Sequence, residues 1–322
     1  MREVKKVSGK EKEIRKVPTP VDELLLEFKN TEQGTKSSKI KFFNLESGKD
    51  VYNITAPFRD GEHMYLAGRV ESRDSEESEV VFFRQSGDGW TADERLPRLK
   101  LQDPCVARIA GELVVGGVEI FPDEENPDAW NYRTVFYRGD NLSELKRFAK
   151  GPDRMKDIRL CGLEDGTILV MTRPQGEIGG RGKIGYTIIR TLEELNAECM
   201  QKAVVLEGQF LPEEWGGCNE LHLLRNGKVG ILGHIAKYDE AKNRHYYATA
   251  FCFDYRTGEY TPMKIIAVRD NFLDGPSKRE DLRDVIFSGG LVREQGQAKL
   301  YCGVSDAEAQ SLVIRDPFLN FE

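Results

Sequence analysis

One unit recurs five times along this chain of 322 residues, and it constrains the fold more than any other feature. Each copy opens with a polar residue inside an apolar stretch, reaches a glycine turn, and runs into a second apolar stretch. The copies are VYNITAPFRDGEHMYLAGRVE with Asn53 and Gly61, LQDPCVARIAGELVVGGVE with Asp103 and Gly111, KDIRLCGLEDGTILVMTRP with Asp157 and Gly166, GCNELHLLRNGKVGILGHI with Asn219 and Gly227, and RDVIFSGGLVREQGQAKLYCGVSD with Asp284 and Gly296. The polar residue and the glycine stand 8, 8, 9, 8 and 12 apart, and the glycines recur at intervals of 50, 55, 61 and 69. The turns read DG, AG, DG, NG and QG, dipeptides that supply the positive φ of tight hairpins. Their flanks are rich in Val, Ile, Leu, Phe and Tyr, as strands prefer. Further strand-like runs follow each hairpin: EVVFFRQ, RTVFYRG, IGYTIIR, YYATAFCFDY and SLVIRD. The pattern predicts an all-β chain, a five-bladed β-propeller over residues 41–322. A two-sheet sandwich would leave five similar units unexplained.

Radial packing would set the first strand of each unit around a central funnel. Asn53, Asp103, Asp157, Asn219 and Asp284 would then share one axis. Any one of them could cap a local turn, but three Asp at equivalent places point to a polar ring, since buried carboxylates are rare without partners. Pro104 follows Asp103, fixes the backbone and donates no hydrogen bond. Among other acids, Asp103 is expected to hold a proton and serve as a general acid. Arg69, Lys156, Arg159, Arg173 and His234 fall near the same rim and suit a small anion, phosphate first. Asp74, Glu119, Glu220 and Asp306 add polar groups for a sugar. Tyr52, Trp130, Tyr132, Trp215, Tyr238 and Tyr301 are available as platforms. Gly179-Gly180-Arg181-Gly182 lacks the P-loop GK[ST] and reads as a loop over the funnel.

Composition narrows the alternatives. The net charge of −7 argues against a nucleic-acid binder. No apolar run is long enough to span a membrane, and the charged N-terminus lacks a signal-peptide core. Six cysteines, at 105, 161, 199, 218, 252 and 302, form no CxxC pair. They read as free thiols in a reducing cytoplasm. Four histidines form neither HxxxH nor HExxH, so no metal and no cofactor is expected. Residues 1–40 read as an N-terminal extension, a basic arm followed by a short helix. In that helix Thr19 would be the N-cap, Pro20 would occupy N1, and LLLEF would follow. Thr191–Leu195 reads as a second short helix.

Several runs carry a resemblance. YNITAPF at 52–58, AGRVESRDSE at 67–76, QDPCVARIAGELVVGGVE at 102–119, MTRP at 171–174, and DVIFSGGLV with LYCGVSD at 284–306 are similar to the five-bladed glycosidase-like superfamily of β-mannoside phosphorylases. The broader match is to its β-1,2-mannosyltransferase-phosphorylase branch from trypanosomatid parasites and bacteria, formerly a domain of unknown function. It covers about residues 40 to 318. QDP is similar to the EDPR run whose Asp is the catalytic acid, ILGHI to a strand whose His helps hold phosphate, and YCGVSD to YYGAAD. The chain departs at Gln102, where the family has an acid, and at Cys105, where it has Arg.

The resemblance implies inverting phosphorolysis and synthesis of β-1,2-mannosides. Phosphate would attack C1 of mannose while Asp103 protonates the leaving oxygen, giving α-mannose 1-phosphate. Arg69, Lys156, Arg159, Arg173 and His234 would bind phosphate. Asn53, Asp74, Glu119, Asp157, Asn219, Glu220, Asp284 and Asp306 would bind sugar. The implied partners are mannose, β-mannooligosaccharide, inorganic phosphate or mannose 1-phosphate, with GDP-mannose as a further donor, and no nucleic acid or membrane. Two readings compete. A hydrolase would need Asp157 or Asp284 as a base for water, and a non-catalytic propeller would only bind.

Overall fold

The five polar-to-glycine units fold into five antiparallel meanders, because each glycine turn reverses the chain. In two of the turns, Ala110-Gly111 and Gln295-Gly296, both central residues take positive φ, which matches the twist of the flanking strands. The computed structural model describes residues 17–31, 36–123, 126 and 129–321. The basic arm through residue 16 lies outside them.

The first meander runs Lys49–Tyr52, His63–Ser72, Ser78–Ser86, Gly89–Ala92. The second runs Gln102–Ile109, Glu112–Pro122, Trp130–Gly139, Lys146–Lys150. Arg159–Gly162, Ile168–Thr172, Gly185–Ile189 and Val204–Val205 make the third. Trp215–Leu223, Val229–Tyr238 and Arg244–Asp254 make the fourth, with Lys264–Ala267 on its edge. Asp284–Glu294, Gln297–Val304 and Glu308–Arg315 make the fifth. Its edge is completed by Lys36–Lys39, which pairs antiparallel with Glu308–Arg315. A short parallel pairing, His245 with Asp284 and Tyr246 with Val285, links the fourth and fifth.

Five apolar clusters lie between neighbouring meanders. Leu66's neighbours Tyr65 and Ala67 meet Leu113 and Val115 between the first and second, and Val114 meets Leu160 and Val170 between the second and third. Leu169 and Met171 meet Ile231 and Ile235 between the third and fourth, and Leu232 meets Ile286 and Leu300 between the fourth and fifth. Val51 and Leu66 meet Tyr301 and Ala309 between the fifth and the first. Alternation along each strand sends successive side chains to the two faces, so every sheet feeds two clusters.

The expected helix spans Val21–Lys29 and buries Val21, Leu24 and Phe28 against the third and fourth meanders. Pro20 stands at the N-cap rather than at N1, and no side chain of the helix caps it. The free Val21 amide instead donates to Glu214 Oε1 at 2.7 Å, a tertiary cap that satisfies an orphan helix donor. Thr191–Leu195 shrinks to a 3-10 turn at Leu192–Glu194, and a short helix at Ala197–Gln201 follows it. Among the described residues, no helix is long and apolar enough to cross a membrane.

Candidate active site

Backbone irregularity aims the recurring polar residues. Asn53, Asp103 and Asp157 take φ of +45°, +49° and +59°. Asn and Asp are the side chains that tolerate this left-handed region best after glycine. In the second meander the register slips between Gln102 and Cys105, so Asp103 and Pro104 bulge out of the ladder. Pro104 has no N–H to leave unpaired there. The fourth meander bulges between Cys218 and Glu220 at Asn219, and the fifth between Ser288 and Gly290.

That last bulge corrects the sequence frame. The bulged residue of the fifth unit is Gly289, five positions after Asp284. Ser288 is buried and donates from Oγ to Gly233 O at 2.8 Å. Asp284 starts its strand four residues earlier, where its Oδ2 accepts from Tyr247 at 3.0 Å and faces His245 Nδ1 at 2.6 Å.

A cavity of about 520 Å³ draws its walls from all five meanders. Asn53, Arg69, Asp103, Lys156, Asp157, Arg173, His234 and Asp306 line it, as expected. At one pole Asp103 Oδ1 accepts from Asn53 Nδ2 at 2.8 Å and from Arg69 at 3.3 Å. Its Oδ2 has no hydrogen-bond partner among the described residues. Arg69 is held behind by Glu71, which accepts from its Nε at 3.0 Å and Nη2 at 2.8 Å. Glu71 is itself clamped by Tyr52 and Lys278, and Lys278 also reaches Glu76 at 2.9 Å. Asp306 faces the same pole. Burial pushes its carboxyl up to about 6, Arg69 pulls it down, and the charge of Asp103 pushes it up again.

At the other pole Asp157 Oδ2 lies 3.2 Å from Arg173 Nη1. Burial opposes ionisation of Asp157, but Arg173, Lys156, His234 and Arg159 outweigh it and bring the carboxyl down to about 2. Arg173 Nε donates to Gly216 O at 2.8 Å, while its buried Nη1 makes no aligned hydrogen bond. Burial lowers His234 to about 3, so its ring is neutral near pH 7; Asp157 opposes this shift and the nearby cations assist it. His234 Nδ1 sits 2.7 Å from Asn219 Oδ1, which places the proton on Nδ1 and leaves Nε2 as an acceptor. Lys156 and Arg173, two cations beside one buried carboxylate, leave donor capacity for a small anion.

The wall beside this second pole is aromatic and basic. Trp215 Nε1 donates to Tyr246 OH at 2.9 Å, and Trp215 packs on Tyr238 at 4.9 Å between ring centroids. Tyr246 stacks on His234 at 5.5 Å. Arg181, from the glycine loop, lies 5.8 Å from the Trp215 ring and 5.5 Å from that of Tyr238. Tyr132, Gln175 and Arg244 complete the lining. The loop reading of Gly179–Gly182 marked this region, but no local pattern singled out Lys278, Gln175, Arg244 or Tyr246.

Five other expected residues lie elsewhere. Glu220 and Arg159 line a second cavity of about 350 Å³, built from the stretches that follow each polar residue. Glu220 Oε2 accepts there from the Leu291 amide at 2.7 Å, and Arg159 Nε donates to Asn219 O at 2.7 Å. Asn219 also lines that cavity and reaches the main one through His234. Glu119 is engaged by Arg133 at 2.8 Å and Arg147 at 2.5 Å, and Asp74 stands on an outer groove. Among the described residues no group of three or more His, Cys, Asp or Glu could hold a metal ion.

The raised carboxyl of Asp306 has a measurable consequence. An acid whose pKa is higher in the folded state than in the unfolded state costs stability as pH rises from about 4, and the cost is complete above about 6. Asp306→Asn is therefore expected to raise stability above pH 6 by at most about 3 kcal/mol, with the gain fading toward pH 4. Denaturant melts at pH 4 and pH 7 check this. A gain of equal size at both pH values would contradict the assignment.

The fold has counterparts among solved structures. Mannose phosphorylase MPT-4 from Leishmania mexicana, solved with a phosphate ion, is 34% identical, covers 92% of this chain and 93% of its own, and superposes with a TM-score of 0.84. MPT-1, a GDP-Man-dependent mannosyltransferase from Leishmania mexicana, is 31% identical over 93% of this chain and 95% of its own, with a TM-score of 0.84. β-1,2-Mannobiose phosphorylase from Listeria innocua shares the fold at 14% identity, over 85% of this chain and 92% of its own, with a TM-score of 0.59. No curated protein matches the chain. Residues 27–320 match a single family model, and the chain belongs to that family, described as protein of unknown function DUF1861.

Proposed function

We propose that this chain is an enzyme acting on mannosides: a β-1,2-mannoside phosphorylase and mannosyltransferase, a single catalytic domain on a five-bladed β-propeller. The observation that carries the reading is one cavity with an acid pole, Asp103 and Asp306, and a basic pole, Lys156, Arg173 and His234. Support for the propeller comes from the five interfacial clusters, the last of which joins the fifth meander to the first.

Phosphate sits at the basic pole and attacks C1 of a mannosyl unit held between the poles. The C1–O bond breaks, and the proton of Asp103 goes to the leaving oxygen, directly or through a sugar hydroxyl. The products are α-mannose 1-phosphate and a mannoside shortened by one unit. Asn53, Asp306 and Asp157 hold sugar hydroxyls. Phosphate brings its own nucleophilic oxygen, so no second carboxylate base is needed. Asp157, tied to Arg173, and Asp284, tied to His245 and Tyr247, are poorly placed to activate water as a hydrolase would require. The six free cysteines suit a cytoplasmic protein.

The wall of Trp215, Tyr238, Tyr246, Arg181 and Arg244 favours GDP-mannose as a second donor. It offers flat faces for a base and cations for a diphosphate. The 31% identical GDP-Man-dependent relative supports the same reading.

The test is phosphate release from α-mannose 1-phosphate with mannose as acceptor, run beside GDP-mannose. Phosphate release with mannobiose formation is the expected result. Hydrolysis of mannosides at an equal rate without phosphate would instead establish a hydrolase.

A further inference from the structure

A larger groove, about 950 Å³, opens beside the active-site cavity. Glu76 and Gln102 line both, and Gln102 Nε2 donates to Glu76 O at 3.3 Å, so the two spaces meet at this pair of residues. Gln102 is the neighbour of the acid Asp103, whereas Lys156, Arg173 and His234 do not line the groove. The groove therefore adjoins the cavity on the acid side. In phosphorolysis that is the side to which the leaving sugar departs, since the acid protonates its oxygen.

The chemistry of the groove suits a neutral polyhydroxyl chain. Its walls carry five carboxylates and three cations, an excess of negative charge that disfavours an anionic polymer. Among the described residues Ser78 Oγ is buried there without a hydrogen-bond partner, and Asp74 on the rim makes no ion pair. Trp130 begins the strand Trp130–Gly139 at the groove edge and is 67% exposed. An indole left in water adds nothing to the core and offers a flat face to the C–H side of a sugar ring.

We infer that this groove holds the acceptor end of a β-linked mannooligosaccharide, with Trp130 stacking on a sugar remote from the bond that reacts. The inference rests on the mannoside reading above. With nearly twice the volume of the cavity, the groove has room for more than one unit, so the enzyme favours chains over free mannose.

The experiment compares Trp130→Ala and Trp130→Phe with the wild type on mannose and on β-1,2-mannotetraose. The ratio of kcat/KM for tetraose over mannose is expected to fall about tenfold in Trp130→Ala and to stay within about threefold of wild type in Trp130→Phe. An unchanged ratio in Trp130→Ala overturns the assignment. Calorimetric binding of mannotetraose, without phosphate or donor, separates the two readings. Binding that weakens in Trp130→Ala on a protein without turnover would keep the groove and reject the phosphorylase. Equal affinity of wild type and Trp130→Ala, or no binding to the wild type, would reject the groove.

Discussion

Asp103→Asn is expected to lower phosphorolysis by about 10³-fold, within the 10² to 10⁴ that general acid catalysis contributes, and to leave the fold intact. Asn is nearly isosteric with Asp and tolerates the left-handed backbone, φ +49°, that the bulge imposes. Its side-chain oxygen can still accept from Asn53 and Arg69. What disappears is the proton for the leaving oxygen, carried by the carboxyl oxygen that those donors do not occupy. Two measurements check this together. Mannobiose phosphorolysis should fall by the stated factor while the melting temperature moves by only a few degrees. With an aryl mannoside, whose leaving group departs without a proton, most of the deficit should vanish. A variant within tenfold of wild type on mannobiose would remove Asp103 from the role of acid.

The second large effect concerns Arg173. Replacement by Ala removes a buried guanidinium, 3.2 Å from Asp157 at its nearest nitrogen. Loss of one charge-assisted contact is worth about 1.5–3 kcal/mol, so KM for phosphate should rise roughly tenfold to 100-fold. Asp157 then keeps its burial but loses its nearest cation, and breaking a buried pair in this way costs about 3–5 kcal/mol of stability. Arg173→Lys restores the charge without the fork. It should recover most of the stability and less of the phosphate affinity. KM for phosphate and for mannobiose, with urea melts of all three proteins, checks the outcome. If KM for mannobiose rose while KM for phosphate held, the basic pole would belong to the sugar rather than to the anion.

Much of this site is legible in one sequence because it repeats. The interval from polar residue to glycine turn fixed which residues open each unit, and four of the five expected ring positions, at 53, 103, 157 and 219, coincide with the left-handed residues or the bulge. The fifth failed because Asp284 drew the frame by its charge. The bulge there falls on Gly289, which has no side chain to mark it in the sequence. The basic pole was legible too, since Arg173 directly follows the second strand of its unit and His234 lies within that of the next.

Other assignments depended on geometry that sequence does not carry. Asn219 and Glu220 are adjacent, and alternation sends Glu220 toward the second cavity while Asn219 turns back to His234. Glu119 looks like the partner of Glu71 in the first unit. Register sets it opposite Arg133, which takes it up on the outer part of the sheet. Glu71 meets Lys278, more than two hundred residues away, through a loop with no repeat signature.

The sequence by itself determined the all-β character, the five units and the polar residue that opens most of them, because hairpin turns and strand alternation are local and cost little chain entropy to specify. The tertiary structure alone decided which charges share a cavity. Pairing between meanders, bulges and loop placement bring together side chains far apart in sequence; the burial that follows sets the protonation of His234 and Asp306, and the cations gathered there set that of Asp157.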